Sequence, residues 1–191
     1  MKNFDRKIYT FNLLLKDLCW LLSRFRRFSK AKKSERVDKA FIEKLMLVTT
    51  AVNECVYCAW FHAKMAVRSG IEKKEVNDML NLQFNTDTSN YQTLALLYAQ
   101  HFAETNRKPD KEMTDKLFDY YGEKSTKEII LFIRAIYFGN LSGNTFDAFL
   151  SRLKGVKAKN SNVVFEFFFF LCSAPILWPT IPYVKKYRNI N

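Results

Sequence analysis

Apolar residues recur along most of the chain at spacings of three and four, which is the period of a helix with one apolar face. In residues 8–27 this pattern predicts an amphipathic helix whose Lys and Arg cluster towards its C-terminal end, where cations suit the helix dipole. Residues 28–35 are polar and are predicted to form a linker. The apolar stripe of this first helix consists of Phe11, Leu14, Leu15, Leu18, Leu21, Leu22 and Phe25.

The same periodicity continues through most of the remaining sequence. Glycine and proline interrupt this pattern at Gly70, at 106–109 and at Gly122. Gly139 and Gly143 are expected to relax the regular geometry of the last long helix. No alternating pattern indicates a strand or a hairpin, so we predict an all-α fold. The further helices are predicted at 36–52, 55–69, 73–82, 88–105, 110–121 and 126–153.

An apolar segment at 163–184 has the length of a membrane span. Glu166 and the prolines at 175, 179 and 182 interrupt it, and proline is a poor residue inside a continuous helix. Basic residues flank both ends, so they give no orientation. We therefore expect a buried or membrane-surface hairpin rather than a true span.

Composition is ordinary for one folded domain, with 48% hydrophobic and 26% charged residues, but the charge is uneven. The net charge is +12, and residues 1–36 hold eleven Lys and Arg against three Asp and Glu. Such a segment suits an anionic membrane surface, with a solvated basic face as the alternative. We expect no nucleic acid, because no zinc finger, aromatic RNA-binding motif or recognition helix is present.

The four cysteines, Cys19, Cys55, Cys58 and Cys172, are too few and too uneven for a secreted disulfide framework. No secretory signal is expected, since Lys16 breaks the first apolar stretch. We therefore predict a cytoplasmic protein, with membrane association as an additional expectation. In a reducing compartment, two cysteines three apart are more often catalytic or metal-binding than structural.

Helical geometry assigns different roles to the residues of "ECVYCAWFH", Glu54 to His62. Cys58 lies about 60° from Cys55 around a helix, and His62 is four residues after Cys58, within reach of it. Cys55 is two turns from His62 and is helped only by the helix dipole. Cys58 is therefore the better candidate for a base-assisted nucleophile, with Cys55 resolving the product.

Glu43 is the one carboxylate between Asp38 and Glu54. Its helical neighbours are apolar, an environment that suits proton exchange with a histidine. The alternative is an exposed glutamate beside Lys44.

Together these residues form the pattern E-x11-C-x2-C-x3-H, made by Glu43, Cys55, Cys58 and His62. With the context "AVNECVYCAWFHAKMAVRSGIEKKEV", it resembles the AhpD-like alkylhydroperoxidase branch of the carboxymuconolactone decarboxylase superfamily, over residues 36–150. The resemblance implies a helical bundle and a thiol-dependent peroxidase, or a disulfide reductase, without haem, flavin or metal. By carry-over, Cys58 attacks the hydroperoxide, Cys55 condenses with the sulfenic acid, and Glu43 and His62 relay protons.

The resemblance also implies a homo-oligomer, and an unknown thiol or lipoyl-type reductant. The chain departs from it at Tyr57, where some members carry a second histidine, so that participant is missing or replaced by a phenol. Members that act as decarboxylases lack the cysteine pair, so that activity is not expected. We divide the chain into a basic helix and linker at 1–35, an AhpD-like core at 36–153, and a Phe/Pro-rich tail at 154–191.

Two alternatives of other classes stay open. A zinc module would use Cys55, Cys58 and His62 with a fourth ligand such as His101. A non-catalytic interaction or membrane-associated protein would keep the same fold with its cysteines in the core. We expect His101 to be structural, Cys19 and Cys172 to be buried thiols, and Trp60 and Phe61 to wall the cysteine pocket.

Overall fold

The computed structural model describes residues 4–87, 90–159 and 161–188. Within these ranges the chain is helical, with one isolated parallel bridge between Phe4 and Ala158, which confirms the all-α prediction. Parts of the predicted segments 1–35 and 154–191, and the first two residues of the predicted helix 88–105, lie outside the described residues. The helices are α1 (Phe11–Ser34), α2 (Lys39–Asn53), α3 (Val56–Arg68), α4 (Lys73–Leu80), α5 (Thr93–Glu104), α6 (Lys111–Arg152), α7 (Val163–Leu177) and α8 (Ile181–Arg188), with a 3-10 turn (Trp178–Thr180) before α8.

Helix α2 lies at the centre of the fold and packs against α3, α4, α5 and α6. Its start is fixed by Asp38, whose carboxylate accepts the backbone N–H of Phe41 at 3.1 Å. Nearly all of its later residues are buried, including Leu45 and Leu47. It ends at Glu54, which takes a left-handed conformation (φ 55°). This turn delivers the chain directly into α3, so the packing of α2 positions the cysteines.

Helix α1 is longer than predicted, and the linker at 28–35 was wrong. The helix continues to Ser34 because Phe28 packs edge-on against Phe132, with ring centroids 5.5 Å apart, and because Ala31 is buried. It ends where Glu35 adopts a left-handed conformation (φ 54°). Tertiary packing therefore overrides the polar composition of this stretch.

Most of the apolar stripe of α1 does not face the core, although Leu14 packs against it. Leu22 and Phe25 are 65% and 68% exposed. The helix is instead anchored through Asp17, which is buried, pairs with Arg107 and accepts the hydroxyl of Tyr9 at 2.9 Å. A polar residue on an apolar-looking helix is thus its attachment point.

Helix α6 contains both helices predicted at 110–121 and 126–153, which meet at a break in the helical backbone. Gly122 has non-helical dihedrals (φ 72°, ψ 167°), so the predicted break is in the right place. Helical turns resume at once after it, leaving no loop. Gly139 and Gly143 lie in regular helix and do not relax its geometry.

The apolar tail forms α7, the 3-10 turn and α8 in unbroken succession, so the predicted hairpin was wrong. By length and composition, Val163–Tyr187 could cross a membrane, and little of it is buried in the fold. The acid expected to interrupt it, Glu166, is fully buried and accepts from Arg152 at the end of α6, with Nε and Oε2 2.7 Å apart. This ion pair attaches α7 to α6.

Replacing Glu166 by Gln should lower the free energy of unfolding by about 3 kcal/mol, because it leaves the Arg152 guanidinium without its countercharge. Urea denaturation and limited proteolysis after α6 measure this. Glu123→Gln, which breaks an exposed pair with Lys127, is the matched control and should change little. The double variant Arg152→Met/Glu166→Leu should recover most of the loss; equal loss in all three proteins would contradict the assignment.

Candidate functional site

The two central cysteines lie at the start of α3. Cys55 is its N-cap, and its Sγ accepts the backbone N–H of Cys58 at 3.4 Å. The two sulfur atoms are 2.7 Å apart and both are free thiols. A disulfide needs about 2.05 Å between sulfurs, so a small movement would join them.

The environments of the two thiols differ. Cys55 is 1% exposed, whereas Cys58 is partly exposed and lines a groove. The adjacent Cys55 sulfur and burial raise the pKa of the Cys58 thiol well above its ordinary value. Cys58 is therefore protonated at neutral pH, and its reaction as a nucleophile requires a base.

The structure brings Glu43 and His62 together, as the sequence pattern suggests. His62 Nδ1 lies 2.7 Å from Glu43 Oε2, and both side chains are largely buried. Glu43 is not the exposed partner of Lys44, because Lys44 pairs with Glu75 at 2.6 Å instead. When Nδ1–H donates to the carboxylate, Nε2 keeps its lone pair and is able to accept a proton.

In the resting structure His62 hydrogen-bonds Glu43 rather than Cys58. The two residues are four apart in α3 and share a face, so proton transfer needs a short rotation of the ring or one bridging water. His62 and Cys58 therefore share a face of α3, as predicted, but no hydrogen bond joins them directly.

Helix α6 forms the wall behind the thiols. A Cβ at Gly143 would lie 2.6 Å from Cys55 Sγ, closer than real contacts allow, whereas one at Gly139 would lie 3.9 Å from Cys58 Sγ. Glycine at 143 is thus what permits the start of α3 to approach α6. Sequence reasoning missed this role, although the repeat "GNLSGN" in an apolar helix was a signal for it.

The two asparagines of that repeat fix the end of α2. Asn140 accepts the hydroxyl of Thr50 at 3.0 Å and donates to the carbonyl of Thr49 at 3.3 Å. Asn144 Nδ2 donates to the carbonyl of Asn53 at 2.7 Å. All of these groups are buried, so the bonds hold α2 in one register against α6.

Tyr57 does not supply a second relay group. Its hydroxyl donates to Asp147 at 3.3 Å, and burial together with that carboxylate raises the pKa of the phenol. Asp147 also pairs with Arg6, so this contact ties the N-terminal segment to α6.

The remaining candidates are His101 and two further cysteines, of which Cys172 lines the same groove as Cys58. His101 Nε2 accepts the backbone N–H of Asp110 at 3.2 Å, just before α6. Cys19 and Cys172 are exposed, so the expectation of buried thiols was wrong. Nowhere in the described ranges do three or more His, Cys, Asp or Glu side chains gather as metal ligands, which weighs against the zinc alternative.

A groove of about 2200 Å³ opens onto the site. Cys58, Glu43 and His62 all line it, while Cys55 lies behind the lining. Helices α1 and α7 form its walls. Trp60 and Phe61 also line it, as expected, and Trp60 stacks on Tyr183 of α8 with centroids 5.8 Å apart.

Residues 21–100 match the sequence model of the carboxymuconolactone decarboxylase family. The match begins inside α1 and ends inside α5, so it contains Glu43, Cys55, Cys58 and His62 but none of α6. It confirms the resemblance at the level of the family. No curated protein and no solved structure matches the chain.

Gly143→Ala should slow formation of the Cys55–Cys58 disulfide by about tenfold or more, because the new methyl group turns Cys55 Sγ away from its partner. Loss of free thiols on treatment with diamide measures the rate. Gly139→Ala adds the same methyl group one turn away, at ordinary contact distance, and should form the disulfide faster than Gly143→Ala. Equal rates in the two variants would contradict the proposed packing.

Alkylation of Cys58 by iodoacetamide should rise about tenfold per pH unit between about pH 6 and 9, without a plateau at neutral pH. The sign follows from the raised pKa, which keeps the thiolate a minor species over this range. Cys55→Ala removes the largest cause of the shift, so its Cys58 should react faster at pH 7. Mass spectrometry scores the site, and Cys19→Ala serves as control; a wild-type plateau near pH 7 would refute the assignment.

Proposed function

Because residues 21–100 match the sequence model of the carboxymuconolactone decarboxylase family, we propose that this protein is a thiol-dependent peroxidase of the alkylhydroperoxidase type. The observation that carries the proposal is the arrangement at one groove. Cys58 is accessible, Cys55 lies 2.7 Å behind it, and the Glu43–His62 pair shares the same lining. This combines a nucleophile, a resolving thiol and a base.

The reaction proceeds in two steps. The Cys58 thiolate attacks the terminal oxygen of R–O–OH, so an S–O bond forms, the O–O bond breaks, and the alkoxide leaves and takes a proton to become R–OH. The Cys55 thiol then attacks the sulfenic sulfur, forming the disulfide and releasing water. The two thiols supply the two electrons, and an external dithiol restores them.

The Glu43–His62 pair serves both proton movements. Because the pKa of Cys58 is raised, His62 must remove its proton before attack. Glu43 holds the ring in the tautomer with Nε2 free and stabilises the imidazolium that forms. The imidazolium then donates to the leaving alkoxide.

Access supports Cys58 as the attacking residue. Cys55 accepts a backbone N–H at the helix start and is shielded from the groove. A hydroperoxide in the groove therefore meets Cys58 first. The non-catalytic alternative retains the fold and requires no disulfide.

The predicted homo-oligomer and anionic membrane surface stay predictions. Both would use exposed apolar side chains of α1 and α7, such as Leu22, Phe25 and Phe168.

Stopped-flow oxidation of the reduced protein by tert-butyl hydroperoxide should produce an intramolecular disulfide. Cys58→Ser should abolish the reaction, and Cys55→Ser should stop at a sulfenic acid that dimedone traps. His62→Gln and Glu43→Gln should each slow the first step, the former by about 100-fold. Cys19→Ser, at an exposed thiol that does not line the groove, is the control.

Two results would contradict the proposal. One is a Cys58→Ser protein that oxidises as fast as wild type, which would remove the assigned nucleophile. The other is a wild-type protein that never forms the Cys55–Cys58 disulfide, which would favour the non-catalytic alternative.

A further inference from the structure

The groove is much larger than a small peroxide requires. Its volume of about 2200 Å³ compares with the roughly 30 Å³ that one water occupies in the liquid, and it exceeds the range of about 300–1,000 Å³ of ordinary ligand pockets. Helix α1 lines it near both of its ends, with Phe11, Asn12, Leu14 and Leu18 at one end and Phe28 and Lys32 at the other, and Phe11 and Lys32 are about 31 Å apart along the helix at 1.5 Å per residue. The space is long as well as large.

Its lining is mainly apolar. Leu14 and Leu18 of α1 face Phe165, Phe168 and Ile176 of α7 across it. A small polar oxidant bound to such a surface buries little apolar area and gains little binding free energy. An alkyl chain gains binding free energy with each methylene group that the surface covers.

Charge is confined to a few positions of this lining. Glu43 is paired with His62, whereas Lys32 and Lys39 have no acidic partner in the described part of the chain. Lys32 lies in the last turn of α1 and Lys39 begins α2, and only residues 35–38 separate the two helices. The two ammonium groups therefore belong to one end of the groove, where they suit a carboxylate.

Cys58 lies some distance from that end. Phe28 of α1, one turn before Lys32, contacts Phe132 of α6, and Gly139 of α6 lies beside Cys58. The seven residues from 132 to 139 span about 10 Å of helix. A ligand with its head group at the lysines would present the middle of its chain, not its end, to Cys58.

We propose, resting on the peroxidase function above, that the groove binds a long-chain fatty acid hydroperoxide. Its carboxylate lies at Lys32 and Lys39, its chain lies between α1 and α7, and its mid-chain hydroperoxide meets Cys58. Oxidation of an unsaturated chain places the O–OH group at such an internal position. Cys58 takes the terminal oxygen, the product is the hydroxy fatty acid, and the Cys55–Cys58 disulfide and water balance the reaction.

The first test measures binding without chemistry. Oleate, which carries no peroxide, should bind the reduced wild-type protein in isothermal titration calorimetry. Lys32→Gln/Lys39→Gln should weaken that binding by about tenfold or more, through loss of the charge-assisted contact. Lys30→Gln/Lys74→Gln removes the same charge from exposed lysines outside the lining and should bind as wild type does. Methyl oleate, which lacks the carboxylate, should bind with no difference between the two double variants.

The second test measures selectivity. Wild-type protein should have a higher kcat/KM for linoleic acid hydroperoxide than for tert-butyl hydroperoxide, and the lysine double variant should lower that ratio mainly through KM. The Lys30→Gln/Lys74→Gln control should preserve the ratio.

The outcomes separate the two proposals. If tert-butyl hydroperoxide is reduced but oleate does not bind, or binds both double variants equally, this inference is overturned and the peroxidase stands. The inference is also overturned if sedimentation shows a dimer that excludes oleate, since a second copy would then cover the groove. If oleate binds in a lysine-dependent way but no hydroperoxide oxidises Cys58, the fatty acid site is supported and the peroxidase falls.

Discussion

The close contact between the α2–α3 turn and helix α6 determines the geometry of the site. Asn144 and Asn140 satisfy backbone carbonyls at the end of α2 that are buried, and a buried polar group without a partner costs about 1–3 kcal/mol. Those bonds bring Cys55 against Gly143, where any side chain would collide with the sulfur. The register of α2 also sets Glu43 opposite His62. One helix contact therefore positions all four residues of the pattern.

The same contact makes the two thiols unequal although they occupy one helical turn. Cys55 lies against α6 and accepts a backbone N–H, while Cys58 faces the groove with its pKa raised by Cys55 and by burial. A thiolate of higher pKa is intrinsically more nucleophilic but is present in smaller amount at neutral pH. In the proposed reaction, the Glu43–His62 pair offsets that shortage by accepting the proton when attack occurs. Accessibility, basicity and proton transfer thus depend on one another at this site.

The spacing of residues in the sequence predicted those features that depend on the local geometry of a helix. Helical period located most of the elements, and the positions of Glu43 and His62 anticipated their contact across α2 and α3. The helical period does not show which surface an apolar stripe packs against. It therefore assigned no partner to the stripe of α1, most of which is exposed in the structure. It also read Glu166 as an interruption, because its partner Arg152 is separated from it by the connection between α6 and α7. The hydrogen bonds of Asn140 and Asn144 were not predicted for the same reason, because each depends on a partner about ninety residues away.

The four residues of the pattern and the helices that control access to Cys58 belong largely to different parts of the chain. The four residues of the pattern lie within the segment 21–100 that matches the family, whereas α6, α7 and α8 lie beyond it. Val184 of α8 is buried in the same cluster as Cys55 and Phe146, and Tyr183 stacks on Trp60. Because the Arg152–Glu166 ion pair attaches α7 to α6, it also holds α8 over the cysteine end of the site. In the proposed function, the cysteine pair can therefore be common to a family while its groove, and hence the molecules that reach Cys58, depends in part on α6 and α7, which the family match does not include.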